Sequence, residues 1–332
     1  MNIPIKIAGI GYQVPETVIT NDDLTKILDT SDEWIKTRTG IEKRHVVSGN
    51  ETALDLGISA AKKALEKSKI DVKNIDYIIA AASFGTHIYP STACEIQNAI
   101  GADNAACFDI TAACAGLIYG MGVARGLIKS GMAKNILIVA TDTVSRCVDW
   151  TDRSTCVLFG DGAGAMMLTV ADDNQDDILA IDLIAEGHIG HHIVMPTAGK
   201  NCPLVKPNDV EPMYIKMNGK EVYKFVVTKL PGYVEKCVEK SGLKLDEIDY
   251  LIPHQANLRI IEALEKRLDF NPEKVISNIQ EYANTSAASI PIALVEAVKE
   301  GKIKLPSTAI LTGFGAGMTV GTAVVRLREG IV

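Results

Sequence analysis

Short runs of apolar residues alternate along the chain with segments of helical periodicity. Residues 78–82, 136–140, 251–252 and 309–311 contain no polar side chain, which is typical of strands that are buried on both faces of a sheet covered by helices. In residues 52–68 the apolar positions recur with helical spacing while the lysines lie elsewhere, which predicts an amphipathic surface helix. The pattern predicts an α/β protein.

An internal repeat divides the chain into two similar halves. Residues 66–77 carry Glu-Lys-Ser followed by Ile-Asp-Tyr, and residues 239–250 repeat both triplets at a constant offset of 173 positions. A fixed separation of this kind indicates a duplicated supersecondary unit. We expect an N-terminal half at 1–172 and a C-terminal half at 173–332, with a functional site where they meet, because ligands favour such junctions.

Composition and charge narrow the class of protein. The chain has 332 residues, 47 % hydrophobic and 23 % charged, with a net charge of −7, which is typical of a globular protein without a long disordered tail. It lacks basic clusters interleaved with aromatic residues, which argues against a nucleic-acid partner. It also lacks the features of a signal peptide or a membrane span, so we expect a cytoplasmic protein without membrane contact.

Cys114 is the first candidate for chemistry. The seven cysteines include no CxxC pair, which argues against a disulfide framework. Cys114 stands between the apolar residues 105–108 and a helical pattern over 115–130. A helix that begins here would lower the pKa of the thiol and favour the thiolate. The alternative is a small buried apolar side chain, which is the commoner role of a cysteine.

His254 and Asn284 are the second and third candidates. His254 follows the repeated strand in Pro-His-Gln-Ala-Asn, and Asn284 precedes a helical pattern in Asn-Thr-Ser-Ala-Ala-Ser. Singly, a loop histidine is more often structural and such an asparagine is usually a helix cap. With Cys114 they supply a thiol, an imidazole and an amide at strand-to-helix junctions. That combination can form a thioester and then stabilise an enolate oxygen.

Two glycine-rich loops and a histidine cluster raise the question of cofactors. The loops at 160–164 and 313–317 precede apolar strands instead of opening a helix, so the context of a dinucleotide fingerprint is missing. The second loop is able to present a backbone N–H to an oxyanion. His188, His191 and His192 lack cysteine ligands at useful spacing, and we interpret them as part of a loop without metal.

The sequences around the three candidates form a specific set of motifs. They are Thr-Ala-Ala-Cys-Ala-Gly at Cys114, His-Gln-Ala-Asn-Leu-Arg from His254 and Asn-Thr-Ser-Ala-Ala-Ser from Asn284, joined by Asp-Glu-Trp-Ile-Lys-Thr-Arg-Thr-Gly at 32–40 and Phe-Gly-Asp-Gly-Ala-Gly at 159–164. This set resembles the β-ketoacyl-acyl-carrier-protein synthase III family over the whole chain. The resemblance implies a thiolase-like layered αβαβα fold built from two duplicated halves, and a homodimer.

The resemblance also implies an activity without a cofactor, in which a coenzyme A thioester is the substrate. Cys114 would take an acyl group, usually acetyl, from acyl-CoA, and malonyl on acyl carrier protein would then lose carbon dioxide. His254 and Asn284 would hydrogen-bond the malonyl thioester carbonyl. The backbone N–H groups of Cys114 and Ala316 would face the oxyanion of the acyl-cysteine, although the family has glycine where this chain has Ala316.

Further site residues follow from the same resemblance. Coenzyme A contacts are expected from Thr30, Trp34, Arg38, Arg153 and Asn257, with Trp34 and Arg153 on either side of the adenine. Tyr89, reaching across the dimer, and Phe314 would line the acyl pocket. The acidic carrier protein would dock on Lys224, Arg259, Lys266 and Arg267. The chain departs from the family at Lys220, where an asparagine helps to hold pantetheine, and at Tyr89, where phenylalanine is frequent.

Several other functions fit parts of the sequence. A 3-hydroxy-3-methylglutaryl-CoA synthase needs a catalytic glutamate in the loop before the nucleophile, and residues 80–92 contain no carboxylate. A chalcone-synthase-like polyketide enzyme would share the three residues but use malonyl-CoA directly. A related acyltransferase would acylate Cys114 without releasing carbon dioxide, and a non-enzymatic acyl-binding scaffold would do neither. The sequence leaves the primer, the carrier protein and the pathway open.

Overall fold

Strands and helices alternate along the chain in the computed structural model, which describes residues 3–83, 85–197 and 199–332. The strands are β1 (Ile5–Gln13), β2 (Val18–Thr20), β3 (Lys43–His45), β4 (Tyr77–Ala81), β5 (Ala106–Ile110), β6 (Asn135–Thr143), β7 (Asp161–Val170), β8 (Ile178–Ala185), β9 (Ile193–Val194), β10 (Lys216–Met217), β11 (Tyr250–Pro253), β12 (Ser307–Gly315) and β13 (Thr319–Leu327). The helices are α1 (Asn21–Leu24), α2 (Asp32–Thr39), α3 (Ala53–Ser68), α4 (Thr92–Ile100), α5 (Gly116–Lys129), α6 (Gly219–Ser241), α7 (Leu258–Leu268), α8 (Ile279–Tyr282) and α9 (Ser289–Lys299). Within these ranges, no helix has the length and apolar character needed to cross a membrane.

Two main sheets repeat one strand order. The first runs β1-β7-β6-β4-β5 and the second β8-β13-β12-β11. In both, the strand that follows the repeated helix, β4 or β11, pairs in parallel with its inner neighbour. A bridge from Leu251 to Val275 extends the second sheet where β5 flanks β4 in the first. The predicted boundary after residue 172 falls in the connection between β7 and β8.

The sheets and helices stack in five layers. Helices α5 and α9 lie between the two sheets, where Leu117, Met121 and Leu294 pack with strand residues of both. Helices α3 and α4 cover the outer face of the first sheet, and α6 and α7 cover the outer face of the second. Because both faces of the first sheet are covered at its centre, β4 and β6 are buried nearly throughout and contain the apolar runs noted in the sequence. The order of layers is the αβαβα arrangement predicted from the sequence.

Local sequence explains how α3 packs on the first sheet. Thr52 caps the helix by accepting the Asp55 N–H, and the Asp55 carboxylate accepts the Thr52 N–H in return, which satisfies two backbone donors at the helix start. The helix then lies directly against β1 because that strand has Gly9 and Gly11 at the contact. A Cβ on Gly9 would lie 2.3 Å from the Ala64 carbonyl oxygen. The predicted amphipathic helix is confirmed.

The repeat extends to two short turns at the centre of the molecule. The 3₁₀ turn at Ala113–Ala115 leads into α5, and the turn at Ser286–Ala288 leads into α9 at the same offset. The first residue of each has a left-handed backbone, with φ of 45° at Ala113 and 53° at Ser286. Such conformations cost about 1–3 kcal/mol for non-glycine residues and cluster at functional sites. The two turns contact each other, and the candidate site is built on them.

Candidate active site

A cavity of about 840 Å³ opens where the two halves meet. Its walls are mainly apolar, and Cys114, His254 and Asn284 all line it. The three residues come from three junctions, namely the turn before α5, the end of β11 and the turn before α9. An apolar cavity with a few convergent polar groups is the usual form of a small-molecule site.

Cys114 lies in the turn that leads into α5, with part of its surface accessible from the cavity. The Ser286 hydroxyl donates a hydrogen bond to its Sγ over 3.5 Å. Burial raises the pKa of the thiol to about 12, although the bond from Ser286 acts in the opposite direction. The predicted lowering of the Cys114 pKa by the helix is therefore wrong, because loss of solvent outweighs the favourable contacts.

His254 is held firmly at the end of β11. Its backbone N–H donates to the Thr312 carbonyl at 2.7 Å, and its ring meets Phe314 edge-on with centroids 5.6 Å apart. Nδ1 lies 2.7 Å from the Ser289 hydroxyl, whereas Nε2 makes no hydrogen bond within the described ranges. Burial lowers the pKa of the imidazole to about 3. The ring is therefore neutral at physiological pH.

Asn284 is oriented by the turn that follows it. The Ser286 N–H donates to Asn284 Oδ1 at 2.9 Å, while the Asn284 backbone is fixed by bonds to Leu158 and Gly160. Because Oδ1 is occupied, the amide Nδ2 is the atom left to act on a ligand, and it has no protein acceptor in the part of the chain that the structure describes. The side chain thus offers an N–H donor to the cavity.

The glycine-rich segment 313–317 was predicted as a loop, but it is the end of β12 followed by a 3₁₀ turn at Ala316–Met318. It packs against the backbone of Cys114. A Cβ on Gly315 would lie 2.6 Å from the Cys114 nitrogen, so only glycine allows this approach. Ala316, the next residue, lines the cavity beside Cys114. The predicted oxyanion donors therefore lie on two adjoining segments.

Three of the five residues expected to contact coenzyme A line the cavity. Trp34, Arg38 and Asn257 line it, whereas Thr30 and Arg153 do not. The guanidinium of Arg38 lies 4.6 Å from the centre of the Trp34 ring and that of Arg153 lies 5.1 Å from it. Because Arg153 already contacts Trp34, the expected adenine sandwich requires this arginine to move. Asn257 caps α7 and also donates to the Arg38 carbonyl.

The expected basic docking residues lie on α6 and α7, and one of them reaches the cavity. Arg259, Lys266 and Arg267 are exposed on α7, and Arg259 also lines the cavity and donates to the Thr37 carbonyl at 2.9 Å. Lys224 is exposed on α6, 3.8 Å from Glu221. Lys220 is exposed in the first turn of the same helix. These five cations, called the basic rim below, lie on α6 and α7 of a chain with negative net charge.

The two expected acyl-pocket residues and the histidine cluster remain to be placed. Phe314 lines the cavity, but Tyr89 is 89 % exposed and is not among the lining residues of the single chain. The cluster of His188, His191 and His192 is a 3₁₀ helix, Gly187–His192, and not an irregular loop. Among the residues that the structure describes, no group of three or more His, Cys, Asp or Glu side chains is arranged to hold a metal ion.

Ser286 and Ser289 are site residues to which the sequence analysis assigned no role. Both stand in the motif that begins at Asn284, and both are buried. Ser286 contacts the candidate nucleophile and Ser289 contacts the candidate imidazole. The internal offset was the available signal for Ser286, because it relates this residue to Ala113, next to Cys114.

Layered duplication around a central cysteine is the mark of the thiolase-like acyltransferases, and the chain falls in that class. The family model described as 3-oxoacyl-[acyl-carrier-protein] synthase III matches residues 108–187. A second model, for the C-terminal part of the same family, matches residues 238–327. The β-ketoacyl-[acyl-carrier-protein] synthase III of Clostridium perfringens is 44 % identical, over 97 % of this chain and 99 % of that protein. The corresponding protein of Aquifex aeolicus is 45 % identical, again over 97 % and 99 %.

Solved structures agree with these matches. The crystal structure of 3-oxoacyl-[acyl-carrier-protein] synthase III from Aquifex aeolicus superposes with a TM-score of 0.90 at 44 % identity, covering 97 % of this chain and all of that one. The priming β-ketosynthase of the R1128 polyketide pathway gives a TM-score of 0.91 at 30 % identity, covering 99 % and 98 %. The chain belongs to the β-ketoacyl-acyl-carrier-protein synthase III family, as its motifs predicted.

Proposed function

We propose that the protein condenses an acyl-CoA, with acetyl-CoA as the expected primer, with malonyl-acyl carrier protein to begin fatty acid synthesis. The products are 3-ketoacyl-acyl carrier protein, coenzyme A and carbon dioxide. The observation that carries the proposal is that a thiol, a neutral imidazole and a free amide N–H line one apolar cavity. The two relatives named above are β-ketoacyl-[acyl-carrier-protein] synthases III by name, which supports the proposal.

In the first half-reaction Cys114 is the nucleophile. Its sulfur attacks the thioester carbonyl of acyl-CoA, and the carbon–sulfur bond to coenzyme A breaks while the new bond to Cys114 remains. The thiol proton leaves with the departing coenzyme A. The developing oxyanion is placed against the N–H groups of Cys114 and Ala316, since preorganised donors stabilise charge that appears only in the transition state.

In the second half-reaction the malonyl thioester loses carbon dioxide. The electron pair of the broken carbon–carbon bond becomes an enolate whose oxygen accepts hydrogen bonds from His254 and Asn284. The enolate carbon attacks the acyl-Cys114 carbonyl, and the sulfur of Cys114 leaves as a thiolate that takes a proton from solvent. A neutral imidazole suits this role because it presents an N–H without a charge that burial would disfavour.

The substrates are proposed to enter past the basic rim. Trp34 and Arg153 would hold the adenine once Arg153 has moved aside, with Thr30, Arg38 and Asn257 nearby. Lys224, Arg259, Lys266 and Arg267 would attract the acidic carrier protein. Opposite charges at exposed sites act mainly on the rate of encounter, so these residues are expected to affect carrier binding more than chemistry.

A homodimer belongs to the same proposal. Strand β5 ends the first sheet as an edge strand, and Ile88 and Tyr89 near it are 85 % and 89 % exposed. Large exposed apolar side chains beside an unpaired strand edge favour association with another chain. In a dimer formed at this edge, Tyr89 of each chain would complete the acyl pocket of the other with Phe314.

Incubation with acetyl-CoA alone, followed by intact-mass measurement and location of the adduct, tests the first half-reaction. Malonyl-acyl carrier protein is then added, and carbon dioxide and the 3-ketoacyl product are measured. Acetylation at Cys114 followed by product supports the proposal, whereas acetylation without condensation indicates an acyltransferase and no adduct indicates a scaffold. Full condensing activity in Cys114→Ala would contradict the proposal.

A priming role in polyketide synthesis is the second candidate, favoured by the 30 % identity and close superposition of the R1128 ketosynthase. The higher identity to the curated synthases favours fatty acid synthesis. Competition between malonyl thioesters of a fatty-acid carrier protein and of a polyketide carrier protein distinguishes the two.

A further inference from the structure

Ser289 holds the imidazole of His254 from the side opposite the reaction. The serine is the first residue of α9 and is 2 % exposed. Its Oγ lies 2.7 Å from His254 Nδ1 and also accepts the Gln255 N–H over 3.2 Å. The histidine is therefore hydrogen-bonded to a hydroxyl and not to a carboxylate, which is one of the usual outer partners of metal-binding histidines.

Only one placement of the protons gives each hydrogen-bonding group around Ser289 a partner among the described residues. A hydroxyl has one proton to donate and two lone pairs that accept. One lone pair is taken by Gln255 N–H, and among the described residues the hydroxyl proton has no acceptor other than His254 Nδ1. If Nδ1 carried the ring proton instead, the buried Ser289 hydroxyl would be left without an acceptor. That loss disfavours the second arrangement by about tenfold or more.

We propose that Ser289 is a positioning residue that fixes His254 as the Nε2–H tautomer and thereby makes it a hydrogen-bond donor to the substrate. The proposal rests on the function proposed above. Nε2 is the ring nitrogen without a protein partner in the described chain, so the proton is placed on the atom free to meet a ligand. A carboxylate at the position of Ser289 would draw the proton to Nδ1 and leave Nε2 as a base.

The tautomer assigns His254 and Cys114 to separate steps. An Nε2–H imidazole with an occupied Nδ1 has no lone pair available to take the thiol proton of Cys114. His254 therefore serves decarboxylation, where an oxygen gains charge, and contributes little to acyl transfer onto Cys114. The sulfur of Cys114 instead accepts a hydrogen bond from a different hydroxyl of the same segment, that of Ser286.

Nitrogen NMR of the protein carrying isotopically labelled histidine tests the assignment without reference to activity. The chain has six histidines, and the spectrum of His254→Gln identifies the signal that belongs to His254. The expected wild-type spectrum shows a protonated Nε2 and an unprotonated Nδ1. A proton on Nδ1 in the folded wild type would overturn the proposal, whether or not the protein condenses thioesters.

Three variants test the consequence for the reaction. Ser289→Ala is expected to lower the rate of malonyl decarboxylation by about tenfold to a hundredfold, the range found when the outer partner of a metal-binding histidine is removed, and to leave acetylation of Cys114 unchanged. Ser289→Thr retains the hydroxyl and is expected to restore decarboxylation. Ser307→Ala is the matched control, because it removes a buried hydroxyl that has no hydrogen bond within the described residues.

The outcomes separate the two proposals. Unchanged decarboxylation in folded Ser289→Ala overturns the positioning role, and so does an equal loss of acetylation and decarboxylation that Ser289→Thr fails to restore. If the wild type shows the Nε2–H tautomer but produces no 3-ketoacyl thioester, the proposed function fails and the tautomer assignment stands. If Ser289→Ala does not fold, the wild-type spectrum and Ser289→Thr still decide the question.

Discussion

Gly315→Ala places a methyl group against the nucleophile without removing any functional group. The new Cβ would lie 2.6 Å from the Cys114 nitrogen and 2.9 Å from the Ala113 Cβ, whereas ordinary contacts begin near 3.4 Å. The turn that carries Cys114 must therefore retreat by about 0.8 Å, the difference between these distances. A displacement of about 1 Å costs roughly a hundredfold in rate, which corresponds to about 2.7 kcal/mol in the barrier.

The assay is the rate of acetyl transfer from acetyl-CoA to Cys114, followed by intact mass, beside urea unfolding to measure stability. Overpacking is expected to lower the free energy of unfolding by about 1–3 kcal/mol. Gly126→Ala is the matched control, because nothing lies within 4 Å of its Cβ position on an exposed face of α5. The control should acetylate normally and gain about 0.5–1 kcal/mol. Normal acetylation by folded Gly315→Ala would refute the claim that the end of β12 sets the position of Cys114.

Three further predictions concern protonation and docking. Burial lowers the pKa of His254 from 6.5 to about 3, so the unfolded chain binds the extra proton first. The free energy of unfolding is therefore highest above pH 6.5 and decreases by up to about 5 kcal/mol as the pH falls towards 3. In His254→Gln, the free energy of unfolding measured in urea should depend less on pH over this range. Since the pKa of Cys114 is about 12, its alkylation by iodoacetamide should rise about tenfold per pH unit between about pH 7 and 9, and a plateau at neutral pH would contradict this. Charge reversal of Arg259 and Lys266 together should raise KM for malonyl-carrier more than for acyl-CoA, unlike reversal of the distant Lys302; equal effects on both substrates would argue against the docking surface.

The sequence predicted the elements that are defined by local pattern. The apolar run at 136–140 lies within β6, the helical pattern at 52–68 became α3 with Thr52 as its cap, and the pattern at 115–130 became α5. These segments are predictable because burial on both faces, or on one stripe, leaves a periodic trace in the sequence. The family motifs then identified the residues that the fold brings together.

What the sequence did not predict depends on contacts between distant segments. The helix after Cys114 indicated a lowered thiol pKa, but the pKa follows the burial imposed by the whole cavity. The roles of Ser286 and Ser289 depend on facing Cys114 and His254 across the junction of the halves. The contact of Arg153 with Trp34 likewise joins residues from different loops. Local periodicity carries no information about such pairs.

The paired turns at Ala113 and Ser286 have a consequence for the history of the site. One backbone shape occurs twice, and the position that holds the sulfur of Cys114 in the first copy holds the methyl group of Ala287 in the second. The strand end that presents His254 in the second copy presents Ala81 in the first. Duplication therefore supplied two equivalent scaffolds, and in the proposed mechanism one copy contributes the nucleophile while the other contributes the side-chain hydrogen-bond donors. Neither copy contains all three of Cys114, His254 and Asn284, so the proposed reaction requires the contact between the two halves.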